Sequence, residues 1–420
     1  MIGIIITLLV LYFTSMSYYE MIFTKLETEN KVVQDLTKRE ESKNEYNKEL
    51  GNTEENTTKD STTKTIENSK LYALSAALID ADNGRVLYEK KGYEKMPMAS
   101  TTKIMTCIVI LENAKLDEVV TISKNASKMP KVKLNVVEGE QYILKDLLYS
   151  LMLESHNDVA VALAEHVGGS VEGFAAMMNA KAKELGCENT KFVTPNGLDA
   201  DGHYTTAVEL ARIASYAIKN EKFIEITNTP TWQFSELKKG RSFSVSNKDK
   251  FLYIYDGAIG IKTGFTGKAG YCFVGAVDKN DKTFVSVVLA CGWPPSKSYK
   301  WHDTTMLMDY GMNNFELKQI FRADKEFNPI LVEDGKVGYV NLYYEGDISL
   351  LMSKDEVAKV VFKLPKELIA PVMAETIVGS ASYYVGEELI KEIPILTSMS
   401  IEKIDFKFCW MKIRDICLLF

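Results

Sequence analysis

The feature that most constrains the fold is the position of the strand-like segments, which stand at the two ends of a long helical region. Leu74 to Asp80 and Arg85 to Tyr88 are short apolar runs on either side of Asp82-Asn83-Gly84. An Asn-Gly pair between apolar runs is a strong hairpin signal. Strands are next expected at Ala258 to Gly264, Tyr271 to Val277 and Thr283 to Cys291. The strands of the two ends are therefore expected to meet in one antiparallel sheet beside a helical cluster.

The region between these strands carries apolar residues at helical spacing, as in Ile143, Leu147, Leu148 and Leu151. The expected helices are Ser100 to Asn113, Tyr142 to Met152, Asn157 to His166, Val171 to Leu185, Val208 to Lys219 and, beyond the last strand, Lys300 to Asn313. From about Asp324 the pattern changes to short alternating runs split by Gly, Pro and Asp. The prediction is an α+β fold, with an antiparallel sheet plus a helical cluster followed by a small all-β domain over 324–395.

The N-terminal region differs from the rest of the chain. Ile2 to Tyr19 is an uncharged stretch, so residues 1–24 are interpreted as a signal peptide or a membrane anchor. No basic residue precedes Lys25, and the choice between a cleaved signal, an uncleaved anchor and a misassigned start stays open. Residues 25–70 are rich in Lys, Glu, Asn and Thr and are predicted to be a disordered polar spacer. A larger folded domain is then expected over 71–320.

The C-terminal residues 396–420 are predicted to form an amphipathic tail that associates with a membrane. On a helical wheel Lys403, Lys407 and Arg414 fall on one side, whereas another side groups Ile401, Ile404, Phe408 and Met411. A helix docked on its own domain, or a frayed end, is the alternative. With 50 basic and 57 acidic residues the net charge is −7, and a general electrostatic grip on nucleic acid is not expected.

The six cysteines form no disulfide framework. Cys272 and Cys291 fall on strands that are expected to be neighbours, and they are the pair for which a disulfide is worth testing. Buried free thiols are the favoured interpretation. The four histidines show no metal-ligand spacing, and neither a metal nor another cofactor is expected.

Serine and lysine at S-x-x-K spacing are the first candidates for chemistry. The tetrads are Ser61-Lys64, Ser100-Lys103, Ser235-Lys238 and Ser400-Lys403, and the first two share the string Ser-Thr-Thr-Lys. Ser61 lies in the polar spacer, whereas Ser100 opens an apolar helix. Residues i and i+3 share a helix face, so Lys103 would direct its amine at the Ser100 hydroxyl. Burial would lower the pKa of that amine and make it a general base. Taken alone, a capping serine and a solvated lysine would explain the tetrad as well.

Two further motifs stand in contexts that favour a binding site. Ser155-His156-Asn157 lies between two apolar helices, where a hydroxyl and an amide could relay a proton and orient a substrate amide. Lys262-Thr263-Gly264 ends a predicted edge strand. Its lysine and threonine could hold a substrate carboxylate, and its glycine would let the substrate backbone approach. Each motif alone is explained equally well by a helix cap or a polar strand end.

In combination the motifs are far more specific. S-x-x-K, S-x-N and K-T-G follow one another at separations of 55 and 107 residues, an arrangement that resembles the active-serine penicillin-recognising enzymes. The stretches Gly139 to Gly186, Thr194 to Leu198, His203 to Thr206 and Gly260 to Gly270 look like those of serine-type D-Ala-D-Ala carboxypeptidases. These are the low-molecular-mass penicillin-binding proteins. The resemblance covers about residues 71–320 and implies a penicillin-binding/β-lactamase-like domain.

The resemblance implies catalytic roles. Ser100 would be the nucleophile that attacks the carbonyl of the penultimate D-alanine, and Lys103 would take its proton. Ser155 would pass a proton to the leaving D-alanine nitrogen, and Asn157 would hold the substrate amide and Lys103. Water would then hydrolyse the acyl-enzyme, while penicillins would acylate Ser100 and leave slowly.

The same resemblance implies a subsite for the substrate's terminal carboxylate. Lys262 and Thr263 would bind the carboxylate, with Gly264 beside them, and the backbone N–H groups of Ser100 and Phe265 would form the oxyanion hole. The implied partners are a peptidoglycan stem peptide ending in D-Ala-D-Ala, β-lactams as inhibitors, and a membrane surface contacted through the termini. The implied location is the extracytoplasmic face of a bacterial membrane, or the cell wall, after export.

Two alternatives remain at this point. A class A β-lactamase shares the motifs but would need a glutamate base after S-x-N and would lack the β-rich extension. The intact motifs argue against a non-catalytic wall-binding protein on the same fold, but this alternative stays open because His156 stands where such enzymes usually carry a small residue. A side chain of that size would narrow the cleft or alter deacylation.

Overall fold

The computed structural model describes residues 66–321, 327–345 and 348–418. The predictions for residues 1–24, and for the polar spacer up to residue 65, lie outside the described residues. Within the described part, no helix has the length and apolar character needed to cross a membrane. Residues Thr63–Phe420 are grouped as one compact unit.

The first part of the chain contains the strands expected from the sequence together with two small two-stranded sheets, β3–β4 and β5–β6. These strands are β1 (Ser75–Asp80), β2 (Val86–Lys90), β3 (Val119–Thr121), β4 (Gln141–Ile143), β5 (Thr231–Ser235), β6 (Ser242–Ser246), β7 (Ala258–Thr266), β8 (Gly270–Lys279) and β9 (Lys282–Leu289). The helices are α1 (Lys103–Asn113), α2 (Lys124–Ser127), α3 (Leu144–Leu153), α4 (Asn157–Gly168), α5 (Val171–Glu184), α6 (Ala207–Ala217), α7 (Glu221–Asn228), α8 (Phe251–Ile254) and α9 (Tyr299–Asn314).

Strands from both ends of this region pair in one antiparallel sheet, in the order β2-β1-β9-β8-β7. Ala77 lies opposite Val287, which joins the first strand of the region to its last. The hairpin predicted around Asn83-Gly84 connects β1 and β2. Strand β7, which carries Lys262 opposite Val274, forms one edge of the sheet, as predicted.

The two faces of the sheet are covered by different layers. On one face, residues such as Ala77 and Val285 belong to a large core shared with helices α1 and α3 to α6. On the other face, Leu78 and Phe284 pack with residues of α9. The strands are therefore apolar on both sides, as expected for a sheet buried between two layers.

The cysteines follow the same division, because Cys272 lies in the first core and Cys291 in the second. They stand on opposite faces of the sheet, and all six cysteines are free thiols. The interpretation as buried free thiols holds for four of them, whereas Cys409 and Cys417 are exposed.

The second part of the chain is all-β up to its last helix. Its strands are β10 (Glu316–Phe321), β11 (Ile330–Glu333), β12 (Tyr339–Val340), β13 (Leu342–Tyr343), β14 (Ile348–Met352), β15 (Ala358–Lys363), β16 (Glu367–Ile369), β17 (Ile377–Val385) and β18 (Glu388–Thr397). They form small sheets around a separate apolar core that includes Val340, Tyr383 and Ile395. The predicted α+β fold with a small all-β domain behind it is confirmed.

A buried arginine joins the two parts. Arg85, in the turn between β1 and β2, is 8% exposed and donates to the carbonyl oxygen of Leu351 at 2.8 Å. Its guanidinium also forms an ion pair with Glu356 and lies 3.9 Å from Glu388. Leu351 itself packs into the core under α9. The β-rich part is therefore attached to the sheet through both a charge cluster and apolar packing.

The tail differs from the predicted wheel. Ile401 exchanges backbone hydrogen bonds with Val372, and the Ile404 N–H donates to Asp334, so these residues complete the β-rich part. Helix α10 spans only Phe406–Cys417. The apolar side predicted from Ile401, Ile404, Phe408 and Met411 is wrong, because its first two members are not helical.

Candidate active site

The nucleophile candidate lies on a tight turn at the start of α1. Residues Ala99–Thr102 form one turn of 3-10 helix, with Ala99 at a φ of +49°. The side chains of Thr101 and Thr102 stabilise this turn by donating to the carbonyl oxygens of Met98 and Ala99, at 2.5 and 2.7 Å. The string Ser-Thr-Thr-Lys therefore folds back on itself and places Ser100 ahead of the helix.

Lys103 is completely buried beneath this turn. Its Nζ lies 3.1 Å from the Ser100 Oγ, 3.0 Å from the Asn157 Oδ1 and 2.5 Å from the Asn196 carbonyl oxygen. Burial holds the pKa of the amine well below its usual value, and the positive charge of Lys262 lowers it further while Asp158 opposes the shift. Burial therefore favours the neutral form of this amine.

The S-x-N segment lies between α3 and α4, as predicted. Ser155 has a φ of +66°, and its buried Oγ has no hydrogen-bond partner among the residues described. Asn157 begins α4, and its backbone N–H donates to the Val132 carbonyl at 2.7 Å. A strained residue with an unpaired buried hydroxyl is the kind of feature that functional sites retain.

Asp158, the residue after the S-x-N motif, fixes the loop of residues 130–136, which precedes β4 and α3 in the chain. Its carboxylate accepts backbone N–H groups of Leu134, Asn135 and Val136 at 2.9, 2.8 and 3.2 Å. Asn157 adds a longer contact from its side-chain amide to the Pro130 carbonyl, at 3.4 Å. Both residues therefore position the loop as well as the site.

Strand β7 brings the K-T-G motif against the nucleophile turn. A Cβ on Gly264 would lie 3.0 Å from the Ser100 backbone nitrogen and 3.1 Å from the Ala99 Cβ. The expected reason for this glycine was the approach of a substrate backbone, but the approach that the structure shows is to the chain's own turn. Phe265 follows, 42% exposed, with its ring 4.7 Å from that of Tyr271.

The lysine of K-T-G is buried like Lys103. Lys262 is 2% exposed, and its Nζ donates to the neighbouring Thr263 carbonyl at 3.3 Å. Burial lowers the pKa of Lys262 to about 7, with Asp249 opposing the shift and Lys300 adding to it. Thr263 is half-buried beside it. The structure thus brings Ser100, Lys103 and Asn157 together and sets Gly264 of β7 against the nucleophile turn.

His156 is directed into the protein. The ring is 4% exposed, with Nδ1 2.7 Å from the Ser150 Oγ and Nε2 3.4 Å from the Glu154 Oε2. Burial lowers its pKa, although Asp158 and Glu154 oppose the shift. A neutral ring accepts from Ser150 and donates towards Glu154, which ties S-x-N to the end of α3.

Sequence reasoning missed the contribution of the loop 194–198. Asn196 offers its backbone carbonyl to Lys103, and Gly197 lies so close to the turn that its Cβ would be 2.0 Å from the Ala99 oxygen. His203 fixes the same loop, since its Nε2 lies 2.8 Å from the Thr102 Oγ1 and its Nδ1 accepts the Val193 N–H at 3.0 Å. The Pro-Asn-Gly signal predicts a turn here but not which carbonyl it presents.

Comparison with known proteins assigns both parts of the chain. Residues 61–292 match the family model Peptidase_S11, described as D-alanyl-D-alanine carboxypeptidase. Residues 315–403 match the model for the C-terminal domain of penicillin-binding protein 5. Among solved structures, penicillin binding protein 5 from Haemophilus influenzae superposes with a TM-score of 0.69 at 26% identity, covering 81% of this chain and 100% of the other.

Curated relatives agree with the family models. The D-alanyl-D-alanine carboxypeptidase DacF of Bacillus subtilis is 31% identical over 342 residues, which is 80% of this chain and 87% of that protein. The D-alanyl-D-alanine carboxypeptidase of Streptomyces strain K15 is 34% identical over 255 residues, covering 57% of this chain and 87% of the relative. The chain therefore belongs to the D-alanyl-D-alanine carboxypeptidase family of serine peptidases, peptidase S11.

Proposed function

We propose that this serine carboxypeptidase removes the terminal D-alanine from peptidoglycan pentapeptide stems through an acyl-enzyme on Ser100, and that penicillins acylate the same hydroxyl. The observation that carries the proposal is the 3.1 Å separation between the Ser100 Oγ and the fully buried Lys103 Nζ. A serine next to a neutral amine is an activated nucleophile.

The partners of Lys103 determine where its lone pair points. The oxygens of Asn157 and Asn196 only accept hydrogen bonds, so each takes one N–H of the amine. A neutral amine has two N–H bonds and one lone pair, and the remaining direction is towards Ser100. The lone pair is therefore aimed at the hydroxyl proton that it would remove.

Acylation then follows with balanced proton movements. The Ser100 Oγ attacks the carbonyl carbon of the penultimate D-alanine while Lys103 takes the hydroxyl proton. The backbone N–H groups of Ser100 and Phe265 would bind the oxyanion. Ser155, whose hydroxyl has no partner among the residues described, would pass its proton to the leaving nitrogen as the C–N bond breaks and take one back from the Lys103 ammonium. A water molecule would hydrolyse the ester and restore the serine.

Substrate recognition is assigned to the edge strand and to S-x-N. The Lys262 ammonium and the Thr263 hydroxyl would bind the terminal carboxylate, and Gly264 would keep both next to Ser100. The Asn157 amide would orient the substrate amide.

Family membership favours this carboxypeptidase over a class A β-lactamase and over a non-catalytic wall-binding protein. The two measurements that distinguish these proteins are nitrocefin turnover and release of D-alanine from an acylated pentapeptide. We expect slow turnover of nitrocefin together with release of D-alanine.

We further propose an exported enzyme on the extracytoplasmic face of the membrane, attached through its C-terminal helix. Phe406, Trp410 and Ile413 are 84%, 62% and 55% exposed and stand at i, i+4 and i+7. Lys407 and Arg414 lie to one side of this apolar stripe. Such a helix suits the interface of a bilayer with anionic headgroups.

Replacing the nucleophile tests the assignment. Ser100→Ala should abolish both labelling by fluorescent penicillin and release of D-alanine, because it removes the hydroxyl that is hydrogen-bonded to the Lys103 amine. Ser61→Ala is the matched control, since it changes the same Ser-Thr-Thr-Lys string in the predicted polar spacer and should leave both activities unchanged. Mass spectrometry of the intact chain with penicillin reads the acylated species directly. Labelling retained in Ser100→Ala would contradict the mechanism.

A further inference from the structure

Ser155 occupies a strained position between two anchored neighbours. Its φ of +66° lies in the left-handed region, where a serine persists only when the surrounding structure holds it there. Its own side chain does not provide this restraint, since the buried Oγ has no hydrogen-bond partner among the described residues. The restraint therefore comes from the residues on either side, Glu154 and His156.

His156 supplies the restraint on one side of Ser155. Its ring is 4% exposed, and its Nδ1 lies 2.7 Å from the Oγ of Ser150, which is completely buried in the last turn of α3. The Ser150 carbonyl oxygen also accepts the Glu154 N–H, at 3.4 Å. One residue of α3 therefore holds the chain on both sides of Ser155, through its backbone before that serine and through its side chain after it.

Glu154 fixes the other side and orients the imidazole. Its Oε1 lies 2.8 Å from the Lys248 Nζ and accepts the Ser246 N–H at 3.1 Å, which ties the carboxylate to the end of β6. Its Oε2 lies 3.4 Å from the His156 Nε2. A carboxylate on this side favours the tautomer with its proton on Nε2, and Nδ1 is then the acceptor for the Ser150 hydroxyl.

Asn157, the residue after His156, has anchors of its own. Its backbone N–H donates to the Val132 carbonyl at 2.7 Å, and its Oδ1 accepts from the Lys103 Nζ at 3.0 Å. It is also the first residue of helix α4. Loss of the imidazole should therefore displace Ser155 more than Asn157.

We propose that His156 is the positioning residue for Ser155, and that its imidazole, bonded to Ser150, holds the Ser155 hydroxyl where it can protonate the leaving nitrogen. The inference rests on the proton transfer proposed for Ser155. The ring does not touch the substrate in this role, because it is buried and both of its nitrogens face groups of the protein.

The leaving group decides whether the position of Ser155 matters. In an acylated pentapeptide ending in D-Ala-D-Ala, the C–N bond breaks as the nitrogen gains a proton, because an amide anion is too basic to leave. When D-thiolactate replaces the terminal D-alanine, sulfur stands in place of that nitrogen. The C–S bond then breaks with its electron pair on sulfur, as a thiolate that needs no proton, and the proton taken by Lys103 passes to water. Displacement of Ser155 therefore slows the peptide and spares the thioester.

The kcat/KM values of the full chain for these two substrates test the inference. His156→Ala should lower kcat/KM about 30-fold for the peptide and less than about threefold for the thioester, since general acid catalysis is worth about 10²- to 10⁴-fold. His156→Asn should restore the peptide rate in part, because its side-chain oxygen can accept the Ser150 hydroxyl where Nδ1 did. Ser150→Ala should slow the peptide selectively, as His156→Ala does.

Ser215→Ala is the matched control for Ser150→Ala. Ser215 is a buried serine on α6 whose hydroxyl has no partner among the described residues, so its loss should leave both rates unchanged. Equal losses on the two substrates in His156→Ala and in Ser150→Ala overturn the inference. Ser150→Ala keeps the test decisive if the histidine variants do not fold.

Ser155→Ala separates this inference from the proposed mechanism on which it rests. Equal losses on the peptide and the thioester in Ser155→Ala contradict the proton transfer itself. A selective loss on the peptide in Ser155→Ala, together with an unselective loss in His156→Ala, contradicts only the role of His156.

Discussion

At the residue scale, the site depends on close approaches between backbones. Gly197 has a φ of +79°, and a Cβ at this position would overlap the Ala99 carbonyl group, with the oxygen at 2.0 Å and the carbon at 2.5 Å. This approach lets the neighbouring Asn196 present its carbonyl to Lys103. A glycine is therefore required for two separate reasons, its backbone conformation and the space it leaves.

Gly197→Ala should reduce the rate of penicillin acylation by about 100-fold, because the loop must move by a substantial fraction of an ångström away from the nucleophile turn. Gly202→Ala is the control that separates the two reasons. Gly202 has nearly the same φ, +78°, but only the end of the Lys191 side chain lies within 4 Å of its Cβ. The Gly202→Ala substitution should therefore lower the free energy of unfolding by about 1 kcal/mol through backbone strain and leave the rate of acylation unchanged. Equal losses of activity in both variants would contradict the packing argument.

The sequence predicts the side chains of the site better than their surroundings. Ser100, Lys103 and Asn157 were predicted from motif order and context, and the structure places the Ser100 Oγ and the Asn157 Oδ1 within hydrogen-bond distance of the Lys103 Nζ. Asn196 was not predicted, because it acts through a backbone carbonyl, which carries no residue-specific signal.

At the element scale, the exposed stripe of α10 is the clearest unpartnered apolar surface in the described residues. Phe406 and Trp410 lie on it, while Phe408 lies on the other side of the helix, where the Lys412 Nζ stands 5.6 Å from its ring centroid. The alternative of a helix docked on its own domain does not fit these exposures. Phe406 and Phe408 therefore lie on opposite faces of α10 although they are only two residues apart.

Phe406→Ser should weaken binding of the full chain to vesicles that contain anionic lipid by about tenfold or more, because burial of a phenylalanine is worth about 1.5–3 kcal/mol. Phe408→Ser makes the same chemical change on the opposite face and should leave binding within about twofold of the unaltered chain. Sedimentation with vesicles measures both. Equal weakening by the two substitutions would contradict attachment through this stripe.

The elements themselves were largely predicted, since the strands at both ends of the helical region and the Asn-Gly hairpin carry local signals. The tail was not, because Ile401 and Ile404 fit a helical wheel although they pair with Val372 and Asp334. Hydrophobic spacing alone does not distinguish a residue that joins a distant strand from one that continues a helix.

At the scale of the whole molecule, buried neutral histidines couple stability to pH. His203 is 7% exposed, and burial lowers its pKa from 6.5 to about 4. The folded chain therefore binds fewer protons than the unfolded chain between these values, and stability falls as the pH falls. His156 acts in the same direction, since burial lowers its pKa as well.

Lowering the pH from 7 to 5 should reduce the free energy of unfolding by roughly 2 kcal/mol through His203 alone. Urea denaturation at the two pH values measures the difference. His203→Gln should weaken this pH dependence without abolishing it, because His156 still contributes. A dependence that His203→Gln does not alter would show that this imidazole is not held neutral.

The distribution of the thiols has a practical consequence for labelling. Cys107, Cys187, Cys272 and Cys291 are buried, and burial raises the pKa of each thiol, so the reactive thiolate is scarce. Cys409 and Cys417 are exposed on α10. A maleimide fluorophore applied to the native chain should therefore mark this helix alone, and its emission would report the polarity around the helix while the active site turns over.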